Sequence, residues 1–159
     1  MKKILRNELG LSLLEVVASI IILSIILIAF FTFLVQSKKI NRLSESIADA
    51  TYIAQMEMEN LYSLSIGENF DNLILKLKSD SNYTLQSENL KKCPNNNQDY
   101  SDYVFEKIDS QYPNFKGEIH IKTLCQYENS VSFRIELIDV NTNSTKAILE
   151  NVYMLKVTN

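Results

Sequence analysis

Residues 10–35 read Gly10, then Leu11-Ser12-Leu13-Leu14-Glu15, then Val16-Val17-Ala18-Ser19-Ile20-Ile21-Ile22-Leu23-Ser24-Ile25-Ile26-Leu27-Ile28-Ala29-Phe30-Phe31-Thr32-Phe33-Leu34-Val35. The uncharged run from Val16 to Val35 is long enough to cross the hydrocarbon core of a bilayer as a helix. A carboxylate at its start is costly there unless something uses it. In front stands a short basic leader containing Lys2, Lys3 and Arg6. Export signals normally carry their cleavage site after the apolar stretch, and no Ala-x-Ala-like site follows Val35. The order therefore reads as a leader cut before the helix, with the helix retained on the mature protein.

Outward from this stretch the helical pattern continues. Between Gln36 and Leu64 there is no glycine or proline, and Ile40, Leu43, Ile47, Ala50, Ala54, Met58 and Leu61 recur at spacings of three and four. That spacing marks one helical face. One helix from Ser12 to about Leu64 is expected, on the order of 80 Å long, apolar all round in its first half and amphipathic in its second. The second-half stripe is expected to pack on the chain's own globular part. A free coiled-coil stalk fits less well, because the stripe drifts off a strict heptad.

After Gly67 the pattern changes. Phe70, Leu73, Ile74 and Leu77 suit a short helix capped by Asn69 or Asp71, although Leu73 to Lys78 also alternates in part like a strand. Tyr83 to Ser87 reads as a short strand, residues 91–102 as a polar loop, and Tyr103 to Ile108 is ambiguous. From Gly117 the alternation is plainer: Ile119 and Ile121; Val131, Phe133, Ile135 and Leu137; then Tyr153, Leu155 and Val157. Three antiparallel strands with one buried face follow, and the amphipathic helix is the natural cover for that face. The expected fold is α+β, a long helix on a small antiparallel sheet. Its segments are residues 1–10 (leader), 11–35 (membrane helix), 36–66 (amphipathic helix) and 67–159 (head).

Composition bounds the function. The chain has 159 residues, three glycines and two prolines, which excludes collagen-like or flexible low-complexity sequence. Residues 36–159 carry a net charge of −4, which argues against non-specific nucleic-acid binding. Cys93 and Cys125 both lie beyond the membrane helix, where a disulfide is permitted. A bridge between them would contribute roughly 3–4 kcal/mol on the chain-entropy view; the other reading is two unpaired thiols. Two cysteines at this spacing and one histidine do not make a zinc site.

Enzyme readings find little support. His120, the single histidine, alternates onto the solvent side of a strand. No phosphate-binding glycine loop, nucleophile elbow or metal-protease motif occurs. Glu57 and Glu59, Asp99 and Asp102, and Glu136 and Asp139 are taken as solvated charges. Asp71, Asp80, Asp99 and Asp102 do not match a calcium-loop spacing. No metal, cofactor or catalytic residue is expected.

The leader, Gly10, the five residues through Glu15 and the apolar run together resemble the type IV prepilin signature, in which glycine is followed by Phe-Thr-Leu-Ile-Glu. Here Leu11, Ser12 and Leu14 stand for phenylalanine, threonine and isoleucine. The resemblance covers about the first third of the chain. It implies that a prepilin peptidase cuts between Gly10 and Leu11, that Leu11 becomes N-methylated, and that Glu15 sets subunit register. The run Ala50-Thr51-Tyr52-Ile53-Ala54-Gln55-Met56-Glu57-Met58-Glu59-Asn60-Leu61 is similar to one common in minor pilins and I-type minor pseudopilins. The implied partners are other pilins or pseudopilins through the N-terminal helix, the peptidase, an assembly platform protein and its ATPase, and lipid before assembly. Nucleic acid is conceivable at the eight tyrosines and the Asn-rich loop but not indicated.

The basic residues flanking the apolar run, Lys2, Lys3 and Arg6 against Lys38, Lys39 and Arg42, do not fix orientation. The resemblance places the N-terminus in the cytoplasm and the head outside, first in the inner membrane and then in a surface or periplasmic filament. Glu15 also has a physical reason independent of family. The new α-amino group at Leu11 would carry its charge at the positive end of a helix dipole, and a carboxylate one turn on offsets this by some tenths to about 1 kcal/mol. The plainer reading places Glu15 at the membrane interface without a special role. The alternative function is a single-pass anchored binding or sensor domain with no filament role. A secreted enzyme with an uncleaved signal is a third reading, for which no catalytic constellation is found.

Overall fold

The structure is a computed structural model that describes residues 13–93, 99–125 and 129–156. By its internal contacts the chain divides into two compact units, Met1–Ser44 and Glu45–Asn159. Helix α1 (Leu13–Ser65) runs for 53 residues. From Leu11 to Ile66 the sequence has neither glycine nor proline to break it. It ends where Gly67 adopts φ 76°, a left-handed conformation that closes helices and costs any other residue strain.

Helix α2 (Phe70–Ser79) follows at once. Asn69, one of the two caps expected, accepts a hydrogen bond through its side chain from the Asn72 backbone N–H at 2.9 Å. Leu73, Ile74 and Leu77 are buried, so the helical pattern prevails over the strand-like one in this segment. Because the cap satisfies a backbone N–H that the helix itself cannot, Asn69→Ala is expected to lower stability by about 1 kcal/mol. Urea denaturation should show a lower midpoint with an unchanged slope.

The remainder forms one sheet in the order β1-β2-β3-β4-β5: β1 (Tyr83–Lys92), β2 (Asp99–Ile108), β3 (Phe115–Thr123), β4 (Ser130–Asp139) and β5 (Ser144–Met154). All neighbours are antiparallel. Five strands thus replace the three expected. The segment at 103–108 is the second part of the ten-residue strand β2, and the expected loop at 91–102 is strand up to Lys92 and again from Asp99. The last residues of β1 and the first of β2 are mostly polar, and β1 is an edge strand, so the alternation that betrays a half-buried strand is weak there. The closing strand also begins earlier than expected and ends at Met154; Leu155 is buried beyond it, and Val157 lies outside the described residues. The β4–β5 turn rests on Asp139, whose carboxylate accepts from the backbone N–H groups of Asn141 and Thr142 at 2.9 and 3.0 Å. Chiefly the Thr142 amide holds this carboxyl below its ordinary range.

One face of the sheet carries Phe105, Ile119, Ile121, Val131, Phe133 and Ile135, all fully buried, and packs against the α1 residues Ala50, Ile53, Ala54, Met58 and Leu61. The helix stripe is therefore core from Ala50 onward. Its earlier members Ile40, Leu43 and Ile47 are exposed instead. Helix α2 lies along the β1 side of the sheet. There Phe70 meets the Tyr103 ring at 5.8 Å, and Lys78 bonds Glu88 at 2.7 Å. Cys93 and Cys125 are joined in a disulfide with their Cα atoms 5.7 Å apart, which ties the end of β1 to the end of β3. The fold is α+β, a long helix on a five-stranded antiparallel sheet.

Candidate functional site

Two regions stand out, and the first is the start of α1. Every residue from 13 to 36 is exposed, so the chain itself provides no cover for Ile20 to Leu23, Ile25 to Ile28 or Phe30 to Val35. Burial of such side chains is favourable by about 1.5–3 kcal/mol each, so this surface calls for an apolar environment. The few polar groups within it are already satisfied locally. The hydroxyls of Ser19, Ser24 and Thr32 donate to the carbonyls of Glu15, Ile20 and Ile28, at 2.7, 2.8 and 2.8 Å. A helix built this way exposes no unmet backbone or hydroxyl group to hydrocarbon. It is long and apolar enough to cross a membrane. Glu15 sits in its first turn, exposed, where its charge favours the helix dipole. Gly10 and Leu11, the expected cleavage and methylation positions, lie outside the described residues.

The second region lies between α1 and one end of the sheet. Tyr83 and Lys107 are direct cross-strand partners at the β1–β2 pairing, and Lys107 and Gly117 are partners in the next. Their inner face meets Glu57 of α1. Tyr83 Oη donates to Glu57 Oε1 and Lys107 Nζ to Glu57 Oε2, each at 2.5 Å. Asn60 Nδ2 donates to Tyr83 Oη at 2.9 Å, and the Lys107 ammonium also stands 4.9 Å from the centre of the Tyr83 ring. Glu57 is buried, with 8% of its surface exposed, so the expectation of a solvated charge is corrected here. A carboxylate withdrawn from water requires a cation and hydrogen bonds, and Lys107 and Tyr83 supply both.

Next to this pair is a cavity of about 170 Å³. Its walls are Ile53 and Met56 of α1, Asp109 and Tyr112 of the β2–β3 connection, Phe115 and Ile119 of β3 and Leu137 of β4, with Glu57, Asn60 and Lys107 as polar members and Gly117 between them. Gly117 does not have the positive φ that would require glycine. A Cβ placed there would meet Lys107 O at 3.5 Å and Lys107 Cβ at 3.8 Å, ordinary contact distances. Glycine inside a strand costs roughly 0.5–1 kcal/mol relative to alanine. The missing side chain leaves open space in an otherwise filled row.

The other acidic positions divide. Asp102 is also buried, 7% exposed, and its Oδ2 lies 3.3 Å from Lys91 and 3.9 Å from Lys122, so it too departs from the solvated reading. Glu59 and Asp71 are exposed, Glu136 pairs with Arg134 at 2.7 Å, and Asp80 accepts from the Asn82 backbone. Asp99 heads β2. His120 is half-buried beside Glu118 at 3.4 Å on the sheet face opposite Ile119 and Ile121. Among the described residues no three His, Cys, Asp or Glu side chains converge as a metal site. A signal for the Glu57 site was present in the sequence: position 57 falls on the stripe through Ala50, Ala54 and Leu61. The cavity's signal was an isolated glycine within a strand pattern.

Burial, and then the Glu57 charge and hydrogen bond, raise the Tyr83 phenol well above its ordinary value. Burial and the Glu88 hydrogen bond push Tyr103 up to about 12. An unfolded tyrosine releases its proton near pH 10. The folded state therefore holds these protons where the unfolded chain has lost them, and their stabilisation is complete below about pH 10 and declines above it. For Tyr103 the decline runs from about pH 10 to about 12. Denaturation midpoints measured across this window should fall with pH, and Tyr83→Phe should flatten the fall. A decline equally steep in the variant would remove Tyr83 as its source.

No protein-family model, no curated protein and no solved structure matches the chain.

Proposed function

We propose that the chain is a minor pilin or minor pseudopilin, a structural subunit that enters the inner membrane as a single-pass precursor and is then drawn into a type IV pilus-like filament. The observation that carries this reading is the order Gly10, four residues, Glu15 and an uncharged helix to Val35, with every side chain from Val16 to Val35 exposed. That surface is first covered by lipid and later by the same helices of neighbouring subunits. In lipid the gain on helix association comes from packing and from matched polar groups rather than from the hydrophobic effect. Glu15 is the polar group in question. It neutralises the α-amino group formed at Leu11, either its own or a neighbour's, and a mismatched register would leave one charge unpaired in an apolar setting. Glu15 also favours a position below the very tip of the filament.

The head, beyond the membrane, primes assembly or contacts cargo. Its partners are other pilins, the prepilin peptidase, and the platform protein with its ATPase. The work is association, not catalysis. The test is the intact mass of the mature protein produced with and without an active prepilin peptidase. The expected result is loss of residues 1–10 and gain of one methyl group only when the peptidase is present. An unprocessed chain in both samples would overturn the proposal in favour of an anchored binding domain without a filament role.

A further inference from the structure

We propose that the cavity beside the Glu57–Lys107 pair is a binding site for a single aromatic ring carrying a hydroxyl group, that is, a small phenol. This goes beyond the structural role and does not depend on it. The volume, about 170 Å³, is close to that of apolar protein cavities known to take up one benzene molecule. The walls fit a ring, with Ile53, Leu137 and Phe115 giving apolar contact and Tyr112 adding a second aromatic face. One end of the cavity is polar and charged. Each Glu57 oxygen accepts one bond, from Tyr83 or Lys107, and a carboxylate oxygen has capacity for another. The Lys107 ammonium, with three donors, likewise has capacity beyond its bonds to Glu57 and to the Tyr83 hydroxyl. A hydroxyl both donates and accepts, so it can answer the two members of the pair at once. A hydrocarbon would leave that polar end without partners, and a charged group would upset a pair that is already balanced.

Gly117 gives the second, independent observation. Neither its backbone conformation nor close packing requires a glycine, since a Cβ would stand at ordinary contact distance from Lys107. The absent side chain is what keeps the space open beside Lys107. Access is available on the α1 side, because Met56 and Asn60 are exposed at the cavity wall.

The test uses the full-length protein in lipid nanodiscs, labelled with carbon-13 at the methionine methyl groups and titrated with phenol, with toluene as the probe of equal size. Met56 lines the cavity, whereas Met58 packs in the core and Met154 is exposed at the end of β5. Saturable movement of the Met56 signal by phenol is expected, with toluene at least about tenfold weaker, and the exposed Met154 reports any non-specific effect of either probe on the head. Gly117→Val should abolish saturation at Met56 while Met58 keeps its folded position. If that variant does not fold, Gly117→Ala, which adds only a methyl group, should weaken phenol by several-fold. A non-saturating response, equal responses to phenol and toluene, or binding unchanged in folded Gly117 variants would overturn the proposal.

Discussion

Lys107→Met is expected to lower the unfolding free energy by about 3 kcal/mol, because it leaves the Glu57 carboxylate buried with its cation removed. The two side chains are only 20% and 10% exposed, so water replaces the lost partner only in part. Replacing both members, Glu57→Leu with Lys107→Met, should recover most of the loss, since no charge is then stranded. The measurement is a double-mutant cycle by urea denaturation of the full chain in detergent. A single variant within about 0.5 kcal/mol of the parent, the usual range for surface substitutions, would show that Glu57 is solvated after all.

The second large effect concerns the disulfide. Cys93→Ser is expected to cost about 3 kcal/mol, because the bridge closes a loop of roughly 33 residues whose freedom would otherwise return to the unfolded chain. The observed separation of 32 positions sets that loop, and a loss of this size corresponds to a fall in Tm of roughly 10 °C in a domain of this size. Reduction of the parent protein should reproduce the change, and reduction of the variant should add nothing. Hydrogen exchange should locate the loss at the ends of β1 and β2, where Leu90, Lys91 and Lys92 pair with Ser101, Tyr100 and Asp99. An oxidised and a reduced protein of equal Tm would remove the bridge from the account of stability.

The helix and the last strands were legible in the sequence because their signals are local. A run without glycine or proline, an Asn69 cap and the alternation of Val131 through Leu137 each sit within a few residues. What was not legible depends on partners far away. Glu57 and Lys107 are 50 positions apart, and nothing near Glu57 announces an approaching ammonium. The stripe position of Glu57 placed it toward the core, but a charged residue read alone is taken as solvated. The second half of β1, beyond the short strand expected at Tyr83 to Ser87, and the first half of β2 were hidden for a related reason. Leu90, Lys91, Lys92, Asp99 and Ser101 lack a period-two pattern, and only the pairing of β1 with β2, held at its end by Cys93 and Cys125, makes them strands. The exposed members Ile40, Leu43 and Ile47 show the converse: periodicity says which residues share a face, not what that face meets.

The sheet order β1-β2-β3-β4-β5 has a kinetic consequence. Each strand pairs with the one made just before it, so the loops that must close are short and the entropy lost in closing each is small. A sheet of this connectivity has low contact order for a β structure and should fold in about milliseconds rather than seconds. It can also grow hairpin by hairpin as the chain emerges, without waiting for a distant segment. The last strand, β5, is an edge, so the sheet is complete only once Ser144–Met154 has been made. A head assembled in that order would hold few unpaired strand edges at any moment, which limits the time in which partly made chains can stick to one another.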